Sequence, residues 1–426
     1  MTMRKFHISS WLLWILSLVI SLVVILGALS LQSSQNQFDY KKQNDLFQFF
    51  MRIPSKGKGN PPVFAYWIRG SNRDSDQIMR LLKAIYHPRN LYLLQLGGAS
   101  EYEIGELAVL IESERIFRAF ENVNVVGKSY AVDEMGSSAL AATLHAAALL
   151  LKISEHWDWF IPLSSSDYPL INQDDLLHAF TFLPRNLNFI HYDRTRLKEH
   201  ETESRIVVDP SLYLQKRASI MYAVETREIP DSFSIFGGSP WVILARDFME
   251  YCVKGWDNFP RKLLMYLSNA IYPLESYFHT ILCNSPEFRN TTVNNDLSYI
   301  DWEPRNINWE PQFLTVSHFE KMLASEAAFA RPFRKNDPVL NKIDKEILRR
   351  SPNGFVPGEW CSSSSGKILN KSSEVDDHEQ FCSSWGNIDI VKAELQGIKL
   401  RQLLSKLTSE DRFKSCHCSP TRDEKC

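Results

Sequence analysis

Three short segments of this chain place charged side chains where they could act on a substrate. Asp167 follows an apolar run that predicts a buried strand, Glu275 falls in the predicted first turn of a helix, and Arg331, Arg334 and Lys335 form a basic cluster. A carboxylate can take a proton from an attacking hydroxyl group, and fixed cations can stabilise negative charge on a leaving group. Each setting also has a structural interpretation: Asp167 as a loop cap, Glu275 as a complement to the helix dipole, and the basic cluster as a solvated turn.

The segment that holds these residues, 61–350, alternates predicted strands with predicted helices. Apolar runs predict strands at 63–68, 91–96, 123–126 and 159–163, and helical spacing predicts helices between them, among others at 101–118 and 137–153. This alternation predicts an α/β fold with a largely parallel sheet. Because ligands bind beyond the carboxyl ends of such strands, we expect the loops after these four strands to form the site.

The N-terminal region predicts a membrane anchor. Residues 11–31 form a run of 21 residues without a charge, preceded by Arg4 and Lys5, and a helix needs about 20 such residues to cross a bilayer. The positive flank then places residues 1–10 in the cytosol and the rest of the chain in the lumen. Two alternatives stay open: a cleaved signal peptide, whose apolar region is usually shorter, and a buried helix of a soluble protein.

Composition and cysteine placement agree with a lumenal protein that binds no nucleic acid. The net charge is −2, without the basic excess typical of nucleic-acid binding. Residues 32–60 are polar and predict a stem, and residues 351–426 predict a small appendage with an amphipathic helix at 388–407. We expect at least two disulfides within the appendage, whereas a zinc site lacks the usual ligand spacing; the cysteines concerned are Cys361, Cys382, Cys416, Cys418 and Cys426. Asn290 and Asn370 head glycosylation sequons.

Several ordered motifs resemble glycosyltransferase family 14, which contains the core 2 and I-branching enzymes and the peptide xylosyltransferases. The most informative is Trp157-Asp158-Trp159-Phe160-Ile161-Pro162-Leu163-Ser164-Ser165-Ser166-Asp167-Tyr168-Pro169-Leu170. Others follow the family order: Tyr86-His87-Pro88-Arg89-Asn90, Phe236-Gly237-Gly238-Ser239-Pro240-Trp241, Gly255-Trp256-Asp257-Asn258, Asn290-Thr291-Thr292-Val293-Asn294 and Phe329-Ala330-Arg331-Pro332-Phe333. The amino acids in these motifs are most similar to those of the plant β-glucuronosyltransferases that modify arabinogalactan proteins.

The resemblance implies a GT-A-like fold and an inverting reaction with a UDP-sugar. The base of the family lies in a Pro-x-Glu motif before an aromatic pair, which matches Glu275 here. Asp167, Arg331, Arg334 and Lys335 are the implied contacts to the nucleotide-sugar, and Trp241 and Asp257 the implied contacts to the acceptor. Because basic side chains replace a metal in similar enzymes, no metal is expected, and Asp74-Ser75-Asp76 is interpreted as a helix cap.

The sequence also departs from the family pattern. The family usually has an acidic residue at the end of the second strand, where this chain has Gly97, and its basic residue can stand where this chain has Pro332. These departures motivate a catalytically weak scaffold paralogue as an alternative. Transfer of N-acetylglucosamine or xylose is a second alternative.

The predicted function is transfer of glucuronic acid from UDP-glucuronate to galactan chains of arabinogalactan proteins. The predicted location is the Golgi membrane, with one span, a cytosolic N-terminus and a lumenal catalytic domain. A carboxylated sugar requires an additional cation in its pocket, and the candidates are Arg69, Arg73 and Arg89.

Overall fold

The computed structural model describes most of the chain that follows the predicted anchor. The described residues are 53–193, 204–214, 218–302, 311–351, 353–362 and 384–409, together with Leu18, Cys382 and Cys418. Apart from Leu18, the predicted anchor at 11–31 lies outside them, as does most of the stem. No helix within these ranges is long and apolar enough to cross a membrane.

Seven described strands form a mixed, largely parallel sheet in the order β10-β6-β9-β4-β1-β2-β3. Their bounds are β1 Phe64–Ser71, β2 Leu91–Gly97, β3 Val123–Val125, β4 Trp159–Ser164, β6 Asn188–Tyr192, β9 Gly238–Ala245 and β10 Thr292–Val293. β1 pairs in parallel with β2 and β4, whereas β9 runs antiparallel to β4 and β6. The predicted α/β fold with a parallel-rich sheet is confirmed.

Helices cover the sheet because their apolar faces match its buried strands. They are α1 Ser75–Ala84, α2 Glu101–Ser113, α3 Arg115–Phe120, α4 Ser137–Ile153, α5 Gln173–Thr181, α6 Arg246–Lys254, α7 Phe259–Leu267, α8 Tyr277–Asn284, α9 Phe319–Ala324, α10 Pro338–Glu346 and α11 Leu395–Leu407. The predicted helix at 137–153 is confirmed as α4. The one predicted at 101–118 is wrong in its continuity, because Glu114 has extended backbone and separates α2 from α3.

A second, small sheet brings Arg331 to the main sheet. It has the order β11-β12-β5, with β5 Tyr168–Pro169, β11 Ser298–Ile300 and β12 Phe329–Arg331. β12 pairs antiparallel with β5, which directly follows Asp167. Residues far apart in the sequence, Asp167 and Arg331, therefore meet at the carboxyl end of β4.

Two further strand pairs lie outside these sheets. β7 Arg205–Val208 pairs with β8 Met221–Thr226, and β13 Cys361–Ser362 pairs with β14 Ser384–Trp385. The disulfide Cys361–Cys382 joins the β13–β14 region, as predicted within the appendage.

The C-terminal region packs on the body rather than standing apart from it. Cys418 pairs with Cys283 of α8, not with another cysteine of the appendage, and Cys252 is a buried free thiol. Cys416 and Cys426 lie outside the described residues. The predicted helix at 388–407 begins only at Leu395. Before it, the backbone N–H groups of Lys392 and Glu394 donate to Asp174 and Asp175 of α5 and hold this segment on the body.

Candidate active site

A cavity of about 510 Å³ opens at the carboxyl ends of the central strands. Its lining comes from β1, β4, β9 and β12 and from the turn that precedes α8. Four of the predicted site residues line it together: Asp167, Trp241, Glu275 and Arg331. The cavity lies where a doubly wound sheet binds its ligands.

Arg331 is the central cation of this cavity. Its side chain is buried, and its Nη2 lies 2.9 Å from Oδ2 of Asp167. Its guanidinium carbon lies 4.4 Å from the centroid of the Trp241 ring. Its Nε and Nη1 atoms are also buried and have no hydrogen-bond partner among the described residues. The arrangement therefore leaves guanidinium N–H groups for a ligand, because buried donors are almost always paired.

The charge of Arg331 is held in a low-polarity setting. Burial lowers its pKa to about 10, while the carboxylates of Asp167 and Asp296 oppose the change and Arg69 adds to it. A guanidinium with this pKa stays protonated at neutral pH. Its attraction for an anion is stronger than that of a solvated cation, since water screens it less.

Asp167 contacts both its own loop and Arg331. The backbone N–H of Ser164 donates to its Oδ2 at 2.8 Å, and the Ser164 hydroxyl donates to Oδ1 at 2.9 Å. These bonds close the loop after β4, as the capping interpretation predicted. The same carboxylate then fixes Arg331 against the cavity wall.

Glu275 enters the cavity from a single turn of 3₁₀-helix, Pro273–Glu275. The predicted helical turn that begins at Pro273 and contains Glu275 is confirmed, but it is a separate 3₁₀ turn, since α8 begins only at Tyr277. Tyr272, before the turn, has a φ of 50° and donates its N–H to the Met135 carbonyl. This anchor ties the turn to the loop before α4, and Glu275 is 7% exposed at the cavity wall.

A second cavity of about 290 Å³ adjoins the first and shares part of its wall. Arg69 and Glu134 line both cavities. Gly97 and Asp74 line the second one, so the departure from the family's acidic residue lies inside a candidate ligand cavity. A Cβ added at Gly97 would meet its nearest atom, the Gly70 carbonyl oxygen, at 3.5 Å.

Asp74 and Asp76 do not act as the predicted helix cap. Asp74 occupies the N-cap position of α1, but its carboxylate accepts from the Ser71 N–H at 2.7 Å and from the Ser165 hydroxyl at 3.0 Å. Asp76 pairs with Lys335 at 3.3 Å. Within the described ranges, no group of three or more His, Cys, Asp or Glu side chains is arranged to hold a metal ion.

The remaining predicted contacts lie apart from the cavity. Its described lining includes neither Arg334, which stacks on Phe313, nor Lys335. Asp257 is exposed and accepts hydrogen bonds from the Tyr251 hydroxyl and the Phe259 N–H between α6 and α7. Asn290 is exposed in the short turn Arg289–Thr291, and Asn370 lies outside the described residues.

Sequence reasoning missed Glu134 and Trp302, which also line the cavity. Glu134 lies in the loop after β3, one of the four loops that the strand pattern had indicated. Trp302 packs 6.5 Å from Trp241 between ring centroids, and no motif in the sequence marked it. Of the three candidate cations, Arg69 lines the cavity, whereas Arg89 is buried elsewhere and Arg73 is exposed.

Comparison with known proteins identifies similar chains. A family model described as Core-2/I-Branching enzyme matches residues 64–323, a range that includes Glu275 but ends before Arg331. The chain is 44% identical over 363 residues to beta-glucuronosyltransferase GlcAT14A of Arabidopsis thaliana, which covers 84% of this chain and 78% of that protein. It is 46% identical over 333 residues to GlcAT14C of the same plant, covering 76% and 85%. Xylosyltransferase 1 of Homo sapiens is 29% identical over 320 residues, covering 70% of this chain and 32% of that protein.

Proposed function

Because the chain belongs to the Core-2/I-branching enzyme family of glycosyltransferases, as its motifs predicted, we propose that it is an inverting β-glucuronosyltransferase. The proposed donor is UDP-glucuronate, and the proposed acceptors are galactan chains of arabinogalactan proteins. The names of the relatives at 41–46% identity support the donor sugar. The observation that carries the proposal is Arg331, buried beside Asp167 with N–H groups to spare, in the same cavity as Glu275.

Arg331 would bind the diphosphate of the nucleotide-sugar. As the bond between the sugar and the diphosphate breaks, negative charge accumulates on the leaving UDP. A fixed guanidinium stabilises that charge without reorganisation, because Asp167 and Trp241 already hold it in place. We therefore propose that turnover does not depend on a divalent metal.

Glu275 would act as the general base. In an inverting reaction the acceptor hydroxyl attacks the anomeric carbon from the face opposite the diphosphate, and one carboxylate takes its proton. Glu275 and Arg331 approach the cavity from different elements, the turn before α8 and strand β12. This arrangement supports a single displacement with the base and the leaving-group cation as separate groups.

Trp241 is proposed to present its ring to a sugar, since it lines the cavity beside Arg331. The carboxylate of Asp257 is used between α6 and α7, so we leave it out of the proposed acceptor site. The exposed Asn290 is a proposed glycosylation site, as is Asn370.

The proposal extends to fold type and location. We propose a GT-A-like fold for the catalytic domain, on the basis of the parallel-rich sheet and the family. We also propose that residues 11–31 anchor the protein in the Golgi membrane with the catalytic domain in the lumen. The two disulfides support an oxidising compartment.

The test is a screen of UDP-sugars with the full-length protein in detergent, with galactan acceptors and released UDP as the readout. We expect turnover with UDP-glucuronate that persists in EDTA. Turnover with UDP-xylose or UDP-N-acetylglucosamine alone would contradict the proposed donor. Loss of turnover in EDTA with recovery in Mn²⁺ would contradict the role of Arg331 as the replacement for a metal.

A second candidate function is transfer of xylose. It is favoured by the similarity to the xylosyltransferases over about 70% of this chain. Its lower identity places it after glucuronic acid. A weak or non-catalytic paralogue is the remaining alternative, motivated by Gly97 in the second cavity, and absence of turnover with every UDP-sugar would favour it.

A further inference from the structure

The second cation of the cavity, Arg69, is held by a carboxylate of the protein itself. Two guanidinium nitrogens of Arg69 donate to the two carboxylate oxygens of Glu134, at 2.5 and 2.7 Å. This forked geometry is the one in which arginine binds carboxylates most strongly. The Glu134 side chain is 59% exposed, whereas that of Arg69 is 25% exposed. The carboxylate can therefore move into solvent, while the cation is fixed in the wall.

Arg69 and Arg331 lie close enough to influence each other. Both interact electrostatically with Asp167, and both line the same cavity. The carboxylates of Glu134 and Asp167 outweigh the effect of burial and raise the pKa of Arg69. The cavity therefore offers two permanent cations, of which Arg331 is assigned to the diphosphate.

The proposed donor carries two anionic groups, one on each side of the ring oxygen of its sugar. In UDP-glucuronate the β-phosphate is attached to C1 and the carboxylate to C5, and these two carbons flank the ring oxygen. A site that binds this sugar needs two cations close together. UDP-glucose differs only in a hydroxymethyl group in place of the carboxylate and needs one.

We propose that Arg69 is the residue that recognises the sugar carboxylate, and that Glu134 occupies Arg69 until the nucleotide-sugar displaces it. The inference rests on the proposed function, since it requires UDP-glucuronate as the donor. The sugar carboxylate takes the place of the Glu134 carboxylate on the Arg69 guanidinium. Arg69 therefore keeps one carboxylate partner, and the charge around it stays balanced. Glu134 then acts as an internal competitor that disfavours donors without a carboxylate.

The test compares the affinities of UDP, UDP-glucose and UDP-glucuronate by calorimetry. For Arg69→Gln we expect UDP-glucuronate affinity to fall roughly 10- to 100-fold, the usual effect of losing a hydrogen-bonded charge pair. Affinities for UDP and UDP-glucose should stay within about a factor of two. Glu134→Gln should raise UDP-glucuronate affinity, because the competitor loses its charge. Arg73→Gln is the matched control, since Arg73 is exposed nearby and outside the cavity lining, and melting temperatures check that each variant is folded.

Each result decides a different point. Equal losses for all three ligands in Arg69→Gln would make Arg69 a nucleotide contact and overturn the inference. A lower UDP-glucuronate affinity in Glu134→Gln would mean that Glu134 only positions Arg69. If the unmodified protein does not prefer UDP-glucuronate over UDP-glucose, the proposed donor itself is wrong. If it does, and Arg69→Gln keeps that preference, the inference alone fails.

Discussion

Two buried arginines, Arg331 in the cavity and Arg89 beneath the C-terminal region, make opposite use of the same side chain. They are 3% and 2% exposed, and burial lowers the pKa of both. Arg89 donates from Nε to the Pro62 carbonyl and from Nη2 to the carbonyls of Pro61 and Ser55, and its Nη1 pairs with Asp389. Arg331 makes one ion pair and leaves Nε and Nη1 without a described partner.

This difference is the one expected between a cation that stabilises the fold and a cation that binds a ligand. A buried donor without a partner costs about 1–3 kcal/mol, so a protein keeps one only where something else satisfies it. Arg89 distributes all three nitrogens over the N-terminal and C-terminal segments and joins them to the body. Arg331 lines the cavity and has two buried nitrogens without a described partner, which is the pattern expected of a group that binds an anion.

The largest expected effect tests whether the cavity region carries the chemistry. Glu275→Gln keeps the size of the side chain but cannot accept a proton, so kcat should fall roughly 10²- to 10⁴-fold, the usual contribution of a general base. UDP affinity and melting temperature should change little. Glu287→Gln, on an exposed turn, is the control. A variant with normal kcat and a lower melting temperature would restrict Glu275 to a structural role.

The next effect tests the structural arginine. Arg89→Met should destabilise the fold by about 3–5 kcal/mol, because it leaves the part-buried Asp389 and several carbonyl groups without their partner. The kcat of the folded fraction should be unchanged, since Arg89 is not part of the cavity lining. Denaturant unfolding measures the first quantity and UDP release the second. Arg349→Met, which breaks the exposed pair with Glu394, should cost about 1 kcal/mol or less, and an equal cost for both variants would break the comparison.

A smaller effect sharpens the role of the binding arginine. Arg331→Lys keeps the charge beside Asp167 but loses the planar fork, so UDP should bind roughly 10- to 100-fold more weakly. The free energy of unfolding should fall less than in Arg89→Met. In the described part of the chain, Arg331 pairs only with Asp167, whose charge Lys still meets, whereas Arg89 has four partners. Calorimetry with UDP and parallel unfolding curves separate the two quantities. Unchanged UDP affinity would remove Arg331 from the proposed diphosphate site.

The smallest effect concerns pH and the docking of the C-terminal region. Burial raises the pKa of Asp174 to about 6, with Asp175 and Glu359 adding to the shift and the Lys392 N–H opposing it. The folded state then binds more protons than the unfolded state between about pH 4 and 6, so this group adds stability as the pH falls through that window. Burial, with Arg89, lowers the pKa of His87 to about 3, so His87 removes stability as the pH falls below about 6.5.

These two contributions oppose each other, because the pKa of Asp174 is raised and that of His87 is lowered. His87 Nε2 and Asp174 Oδ1 lie 3.7 Å apart in the same cluster. Asp174→Asn keeps an acceptor for the Lys392 N–H but cannot take up a proton. We therefore expect the variant to lose more stability than the unmodified protein on acidification from pH 7 to pH 4. Melting temperatures across this range provide the measurement, and parallel curves for the two proteins would contradict the assignment.

Much of the fold was predictable from local patterns. Local sequence alone indicates β1, β2 and β4 through their apolar runs, and α4 through its Ala- and Leu-rich pattern. The observed bounds of these elements therefore match the predictions closely. The break at Glu114 was not predictable, because the residues on both sides favour a helix. Glu114 has extended backbone and forms a salt bridge with Lys83 on α1, which is a tertiary contact that local sequence does not show.

The sequence by itself determined the family, the alternation of strands and helices, and the side chains able to do the chemistry, Glu275 and Arg331 among them. Only the tertiary structure decided which charges share a cavity. Arg331, Arg334 and Lys335 are close in sequence, yet β12 ends at Arg331, so that residue is buried beside Asp167 while the other two turn to the surface. Arg69 and Glu134 are 65 residues apart and meet because β1 and the loop after β3 end at the same edge of the sheet. Local patterns depend on neighbours along the chain, whereas the charge of a site depends on neighbours in space.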